Sequence, residues 1–273
     1  YEGSWDFIDP TVFVDDDGQA YLYWGNPNVY YAKLNADMVS LDGEVSKVEQ
    51  TIESFGSPGP DKREKGKKYK DIYTEGPWLH KRGGTYYLSY AAGGVPEHIA
   101  YSMSDTPTGP WKYMGEIMPL QDTGSFTNHC GVTDYKGNSY FFYHTGKLPG
   151  GGGFGRSVAV EQFSYNPDGT FPIINATTEG VSPVGTLTPY QRVEAETIAF
   201  SEGVKSEWNA KTGVYVSGIH DGDYIKVREV DFEDLSPKCL CVSVASALRG
   251  GWIEIRTDSI GGTLIAEMRV PHT

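Results

Sequence analysis

The chain has 273 residues, a formal net charge of -13, 38% hydrophobic and 13% aromatic content, 19 Tyr and 34 Gly. That length suffices for two domains, the acidic balance argues against nucleic acid, whose phosphates attract Lys and Arg, and no apolar run reaches the length of a membrane-spanning helix. Abundant Tyr and Gly with few helical heptads favour an all-β protein, and the odd set Cys130, Cys239 and Cys241 gives no disulfide framework.

In chain order, the first unit covers residues 10–35, with strands at Thr11–Val14, Ala20–Gly25 and Val29–Leu34. Asp15-Asp16-Asp17-Gly18 joins the first two as a polar hairpin turn, not a calcium loop, because the helix-loop-helix spacing is missing. Residues 50–71 form a polar insertion with the basic cluster Lys62, Arg63, Lys65, Lys67, Lys68 and Lys70, a solvated loop that leads into Glu75. Residues 77–105 and 130–166 give two further strand-rich units. Glycines at 150–153 and 155 precede Arg156 and the strand-like Ser157-Val158-Ala159-Val160. Near residue 188 the character changes. Short strands are predicted from Arg192-Val193-Glu194-Ala195-Glu196, then at Asp223–Val227, Cys239–Ala247 and Trp252–Arg256, as in a jelly-roll β-sandwich. Cys239 and Cys241 would share one face of their strand, a poor geometry for pairing with each other.

One local pattern occurs three times. Asp9, Glu75 and His129 each open a short apolar run, followed by a glycine turn and an aromatic-rich strand. They stand 66 and then 54 residues apart, from 9 to 75 and from 75 to 129. Hairpins at such intervals suggest propeller blades. The first strand of a blade lines the central axis, so the three positions converge and assemble two carboxylates and an imidazole.

Two carboxylates without a nucleophilic Ser or Cys motif point to glycoside hydrolysis, which needs one protonated and one ionised acid. Glu75 precedes Gly76-Pro77-Trp78, an apolar, rigid setting that partly desolvates it, and reads as the general acid. Asp9, although Asp-Pro is also an ordinary turn opener, points inward in the repeat frame and would hold Glu75 protonated. His129 is either an axial ligand or a satisfied structural histidine. Arg156 reads as a donor to sugar hydroxyls or as a surface arginine. Trp5 either stacks on a sugar or packs at a blade edge.

Asp9-Pro10-Thr11-Val12-Phe13, Gly18-Gln19-Ala20-Tyr21-Leu22-Tyr23-Trp24-Gly25, Tyr73-Thr74-Glu75-Gly76-Pro77-Trp78 and Arg156-Ser157-Val158 occur in this order. In these motifs residues 1–187 resemble glycoside hydrolase family 43, nearest to secreted arabinofuranosidases and xylosidases acting on arabinoxylan. The resemblance implies a five-bladed propeller, inversion at the anomeric centre, and a secreted, extracellular or periplasmic location. It assigns Glu75 as general acid and Asp9 as the carboxylate that orients and tunes it. Arg156 matches a substrate-binding arginine, and His129 a histidine near an axial calcium or water site. The family's general base is an aspartate upstream of the Asp9 motif, and no residue here matches it.

Residues 191–273 resemble a carbohydrate-binding module of family 6, through Glu194-Ala195-Glu196, Gly222-Asp223-Tyr224-Ile225 and Gly250-Gly251-Trp252-Ile253-Glu254-Ile255-Arg256. Such modules hold a structural calcium, for which Glu194 and Glu196 are candidates, and no organic cofactor is expected. Three units are fewer than the four to eight blades of known propellers, so the chain reads as a fragment lacking both ends of a larger protein and its base. The expected activity of the parent is removal of arabinofuranosyl side chains from arabinoxylan. The alternatives are a β-xylosidase or a non-catalytic glycan-binding propeller.

Overall fold

The computed structural model describes residues 6–56 and 73–273, and the chain divides into two units, 1–182 and 183–273. It is all-β, with a single helical turn among the described residues. The division falls a few residues before the change of character near 188. Leu187 bridges to Val230 in the second unit, with Leu187 N–H donating to Glu229 O at 2.7 Å and Asp231 N–H to Leu187 O at 2.9 Å.

The first unit opens with a four-stranded antiparallel sheet in sequence order: β1 (Thr11–Val14), β2 (Ala20–Trp24), β3 (Tyr30–Leu34) and β4 (Leu41–Lys47). The β1–β2 turn is closed by Gly18 N–H to Asp15 O at 2.9 Å, with Gly18 left-handed at φ 86°. The acids of this turn engage the protein itself. Lys81 Nζ lies 2.7 Å from Asp15 and 2.8 Å from Asp16, and Tyr86 O–H donates to Asp15 at 2.6 Å.

Part of the expected polar loop lies among the described residues. Residues Ile52–Phe55 form α1, one turn capped reciprocally by Thr51 and Ser54. The turn forms because Phe55, 2% exposed, packs against Tyr73 and Tyr90. The basic cluster at 62–70 lies outside the described residues.

The second sheet is β5 (Tyr73–Arg82), β6 (Thr85–Ala92), β7 (His98–Ser104) and β8 (Lys112–Met118), again antiparallel and in order. The third contains β9 (Gly131–Tyr135), β10 (Asn138–Thr145) and β11 (Ser157–Phe163), with β10 central. Tyrosines fill the core because a ring buries a large apolar surface while its hydroxyl can still reach a polar partner. Tyr23 O–H donates to Pro107 O and Tyr73 O–H to Gly25 O, each at 2.7 Å, and Tyr87 O–H to Gly169 O at 2.8 Å. Cys130 is buried in the second of the two core clusters.

The second unit is built of three separate antiparallel pairs. These join β12 (Phe200–Glu202) to β15 (Tyr224–Lys226), β13 (Lys205–Asn209) to β14 (Gly213–Ser217), and β16 (Gly251–Arg256) to β17 (Leu264–Val270). Two expected strands are corrected: residues 192–196 and 239–247 have no strand structure. Their alternation suits a pleat, but neither segment has a ladder partner among the described residues, and a strand needs one to satisfy its backbone. Cys239 and Cys241 are accordingly free and exposed. Among the described residues, Val270 is the one apolar side chain of this unit in the buried core.

Candidate active site

Asp9 stands two residues before β1 with a left-handed backbone, φ 57°. Few non-glycine residues adopt that conformation, and it persists where surrounding structure over-determines it, often at functional sites. His129 stands two residues before β9. Glu75 instead lies within β5, where the β5–β6 register shifts on both sides of it, between Tyr73 and Glu75 and between Glu75 and Trp78. Such bulges re-aim a side chain out of the alternation of the sheet. The Glu-Gly-Pro motif then has a local reason. Gly76 is left-handed at φ 60°, and a Cβ there would meet the His129 ring at 2.8 Å. Only glycine fits both demands.

The structure thus brings together the three repeat residues. Ligand-capable atoms of Asp9, Glu75 and His129 all lie within 4.8 Å of one another. His129 Nε2 is 3.1 Å from Glu75 Oε1 and 3.9 Å from Asp9 Oδ2, and Asn26 Nδ2 donates to Glu75 Oε2 at 2.5 Å. Arg156 is exposed just before β11, with Nη1 donating to Thr127 Oγ1 at 3.0 Å, and its charge acts on Asp9 and His144. Trp5 lies outside the described residues.

Four residues of this site were not singled out in the sequence. Asn26 looks like part of a Gly-Asn-Pro turn. His144 stacks on His129 with ring centroids 5.0 Å apart and accepts the His129 N–H at 3.3 Å. Asn128 Oδ1 accepts the His144 N–H at 3.1 Å. Glu97, beside Pro96 ahead of β7, is 5% exposed and accepts the Asn128 N–H at 2.7 Å. The sole signal for Glu97 was an acid bordering the apolar Ile99-Ala100-Tyr101.

The electrostatics reverse one expectation. At Glu75 the hydrogen-bonding partners outweigh burial. Its pKa is lowered, first by the hydrogen bond from His129, with Asn26 adding to the effect against burial. The carboxyls that are raised are its neighbours. Burial raises Asp9, with Glu75 reinforcing it and His129 opposing, and burial pushes Glu97 up to about 7. Burial opposes charge on His129, but Glu75, Asp9 and Glu97 together outweigh it and raise its pKa. His144 is pushed down to about 4, first by burial and then by the charge of His129. The groups titrate as a set.

Asp9, Glu75 and His129 are a group of side chains that could hold a metal ion. Calcium takes six to eight oxygen ligands, waters included, so with two carboxylates and an imidazole here, water would have to supply much of its shell. Glu194 and Glu196 are exposed, and Glu194 pairs with Arg192 at 2.7 Å. Among the described residues they join no group of three acidic, histidine or cysteine side chains able to hold a metal.

Residues 2–171 match the family model of glycosyl hydrolases family 43, and residues 194–273 that of carbohydrate binding module (family 6). The chain is 33% identical, over 97% of its length, to an arabinoxylan arabinofuranohydrolase of Bacillus subtilis (strain 168), covering 55% of that protein. It is 33% identical, over 99% of its length, to an arabinoxylan arabinofuranohydrolase of Paenibacillus polymyxa, covering 44% of it. It therefore spans about half the length of these relatives. A solved structure of a Bacillus subtilis arabinoxylan arabinofuranohydrolase with cellotetraose is similar over 98% of this chain and 58% of that one, with a TM-score of 0.67 and 30% identity.

Proposed function

Because this chain belongs to the glycosyl hydrolases of family 43, we propose that it is part of an enzyme that removes arabinofuranosyl side chains from arabinoxylan with inversion. The observation that carries this reading is the convergence of Asp9, Glu75 and His129 within 4.8 Å. Similarity along nearly the whole chain to two arabinoxylan arabinofuranohydrolases supports arabinose over xylose.

Departure of a sugar's leaving oxygen needs a carboxyl that delivers a proton, beside groups that set when it does so. Glu75 is that general acid, aimed by its bulge and held on both oxygens by His129 and Asn26. Asp9 contributes negative charge that favours keeping a proton in the cluster. His129 is the cation that lets these carboxylates sit close together. Arg156 offers a planar guanidinium to sugar hydroxyls. Asp9 does not stand where an inverting base belongs. Its carboxyl lies closer to Glu75 than the roughly 6.5–9.5 Å that leaves room for the attacking water. In the family pattern that base is an aspartate upstream of the Asp9 motif.

On this reading the three sheets of the first unit are blades of a five-bladed propeller, and residues 194–273 contribute to a β-sandwich that binds glycan. On the same reading the enzyme works outside the cytoplasm, where a polymeric substrate is met.

The test is incubation of the full-length protein with arabinoxylan and with unsubstituted xylo-oligosaccharides, followed by proton NMR. Arabinose should appear first with inverted anomeric configuration. Xylose alone would make the protein a β-xylosidase, and glycan binding without any released sugar would make it a binding propeller.

A further inference from the structure

The β9–β10 ladder ends with Gly131 opposite Phe142, and extending its register by two residues on each strand sets His129 opposite His144. In a regular antiparallel ladder the N–H groups of such a pair find backbone carbonyls. Here side chains replace the carbonyls. The His129 N–H donates to Nδ1 of His144 at 3.3 Å, and the His144 N–H donates to Asn128 Oδ1 at 3.1 Å. The two imidazoles also stack, with ring centroids 5.0 Å apart and 26° between their planes. Asn128 is itself fixed. It is 5% exposed, and its N–H donates to Glu97 Oε2 at 2.7 Å. The Glu97 N–H in turn donates to Phe126 O at 3.0 Å, so the segment entering β9 is tied down at residues 126, 128 and 129.

We propose that His144 is a positioning residue for the acid, its Nδ1 holding the His129 backbone where the His129 ring meets Glu75. This rests on the assignment of Glu75 as general acid. His144 acts through His129, whose Nε2 lies 3.1 Å from Glu75 Oε1. The reach of that ring is set by the backbone from which it projects, and the ring has little room to compensate a backbone shift. A Cβ at Gly76 would lie only 2.8–2.9 Å from three of its atoms, and the His144 ring stacks against it. Without Nδ1 of His144 the His129 N–H must find another acceptor, and the backbone shifts with it. A misplacement of about 1 Å can cost up to about 100-fold in rate, because the acid must stay within hydrogen-bond reach of the leaving oxygen.

Two variants of the full-length protein test this. His144→Phe keeps an aromatic ring against His129 but has no acceptor, whereas His144→Asn keeps an acceptor oxygen in the place of Nδ1 but has no ring. His144→Phe should lose about tenfold to 100-fold in kcat/KM on substrates with poor leaving groups, and much less on activated aryl glycosides, which need little proton delivery. His144→Asn should recover most of that loss. A plain packing role predicts the reverse order, with His144→Phe near wild type and His144→Asn impaired equally on both substrate types, and that result overturns the proposal. Crystal structures of the two variants require no hydrolytic activity. The 3.1 Å contact of His129 Nε2 with Glu75 Oε1 should persist in His144→Asn and be lost in His144→Phe. Its loss in His144→Asn, or its persistence in His144→Phe, overturns the proposal, so either variant decides alone where the other fails to fold. If no glycoside is hydrolysed by the unaltered protein, the assigned function fails, while the structures still decide whether His144 places His129.

Discussion

Gly76→Ala probes the link between backbone and acid. At φ 60° the alanine occupies the left-handed region, which costs a residue with a Cβ about 1–2 kcal/mol. For a unit of this size each kcal/mol lowers Tm by about 2–4 °C, so the backbone effect alone predicts a fall of roughly 2–8 °C. The new Cβ would also meet three atoms of the His129 ring at 2.8–2.9 Å, so the ring must shift. That shift weakens the 3.1 Å contact from His129 Nε2 to Glu75, the first cause of the lowered Glu75 pKa. Glu75 then keeps its proton to higher pH, and the alkaline limb of kcat/KM, which reports loss of that proton, moves upward. Thermal unfolding and a pH–rate profile of the full-length protein read both effects. A lowered Tm with an unmoved limb would refute the coupling through His129, and an unchanged Tm would refute the strain argument.

Glu75→Gln should reduce turnover of substrates with poor leaving groups by about 10²–10⁴ and that of activated aryl glycosides far less; equal losses would mean Glu75 is not the acid. Asp9→Asn removes a negative charge beside Glu75, so the alkaline limb should move to lower pH, and an unmoved limb in a folded variant would assign Asp9 to positioning alone. His80 has a buried Nδ1 without a partner among the described residues, and its pKa falls from 6.5 to about 4 through burial. The unfolded chain therefore takes up this proton near pH 6.5 and the folded chain only near 4, so stability drops between those values by up to about 3 kcal/mol. His144 acts in the same window and direction. The test is accordingly the difference in urea unfolding between wild type and His80→Gln across that range, where identical pH slopes would sink the argument.

Much of the first unit was legible in the chain. Strands β1, β2 and β3 fall where alternation and the Asp-Gly turn put them, because a hairpin is specified by residues close in sequence. The common offset of Asp9, Glu75 and His129 also predicted their meeting, since repeated local units place equivalent residues equivalently in space. The order of the motifs then pointed to the family. The second unit was harder. Residues 239–247 alternate like a strand, but alternation states only what a segment can pair with, not whether a partner is present.

The site's proton distribution was decided by tertiary structure alone. Flanking residues suggested that Glu75 would be desolvated into holding a proton. Its pKa is governed instead by His129, from 54 residues further along, and Asn26, from 49 residues before. Glu97 carried no repeat position and no motif, yet folding buries it and bonds it to Asn128, next to His129. The reason is the range of the forces. Backbone propensity and turn chemistry act over a few residues, so sequence patterns record them. Hydrogen bonds and charge interactions act over a few ångströms of space, and which groups share those ångströms is fixed only when the sheets pack.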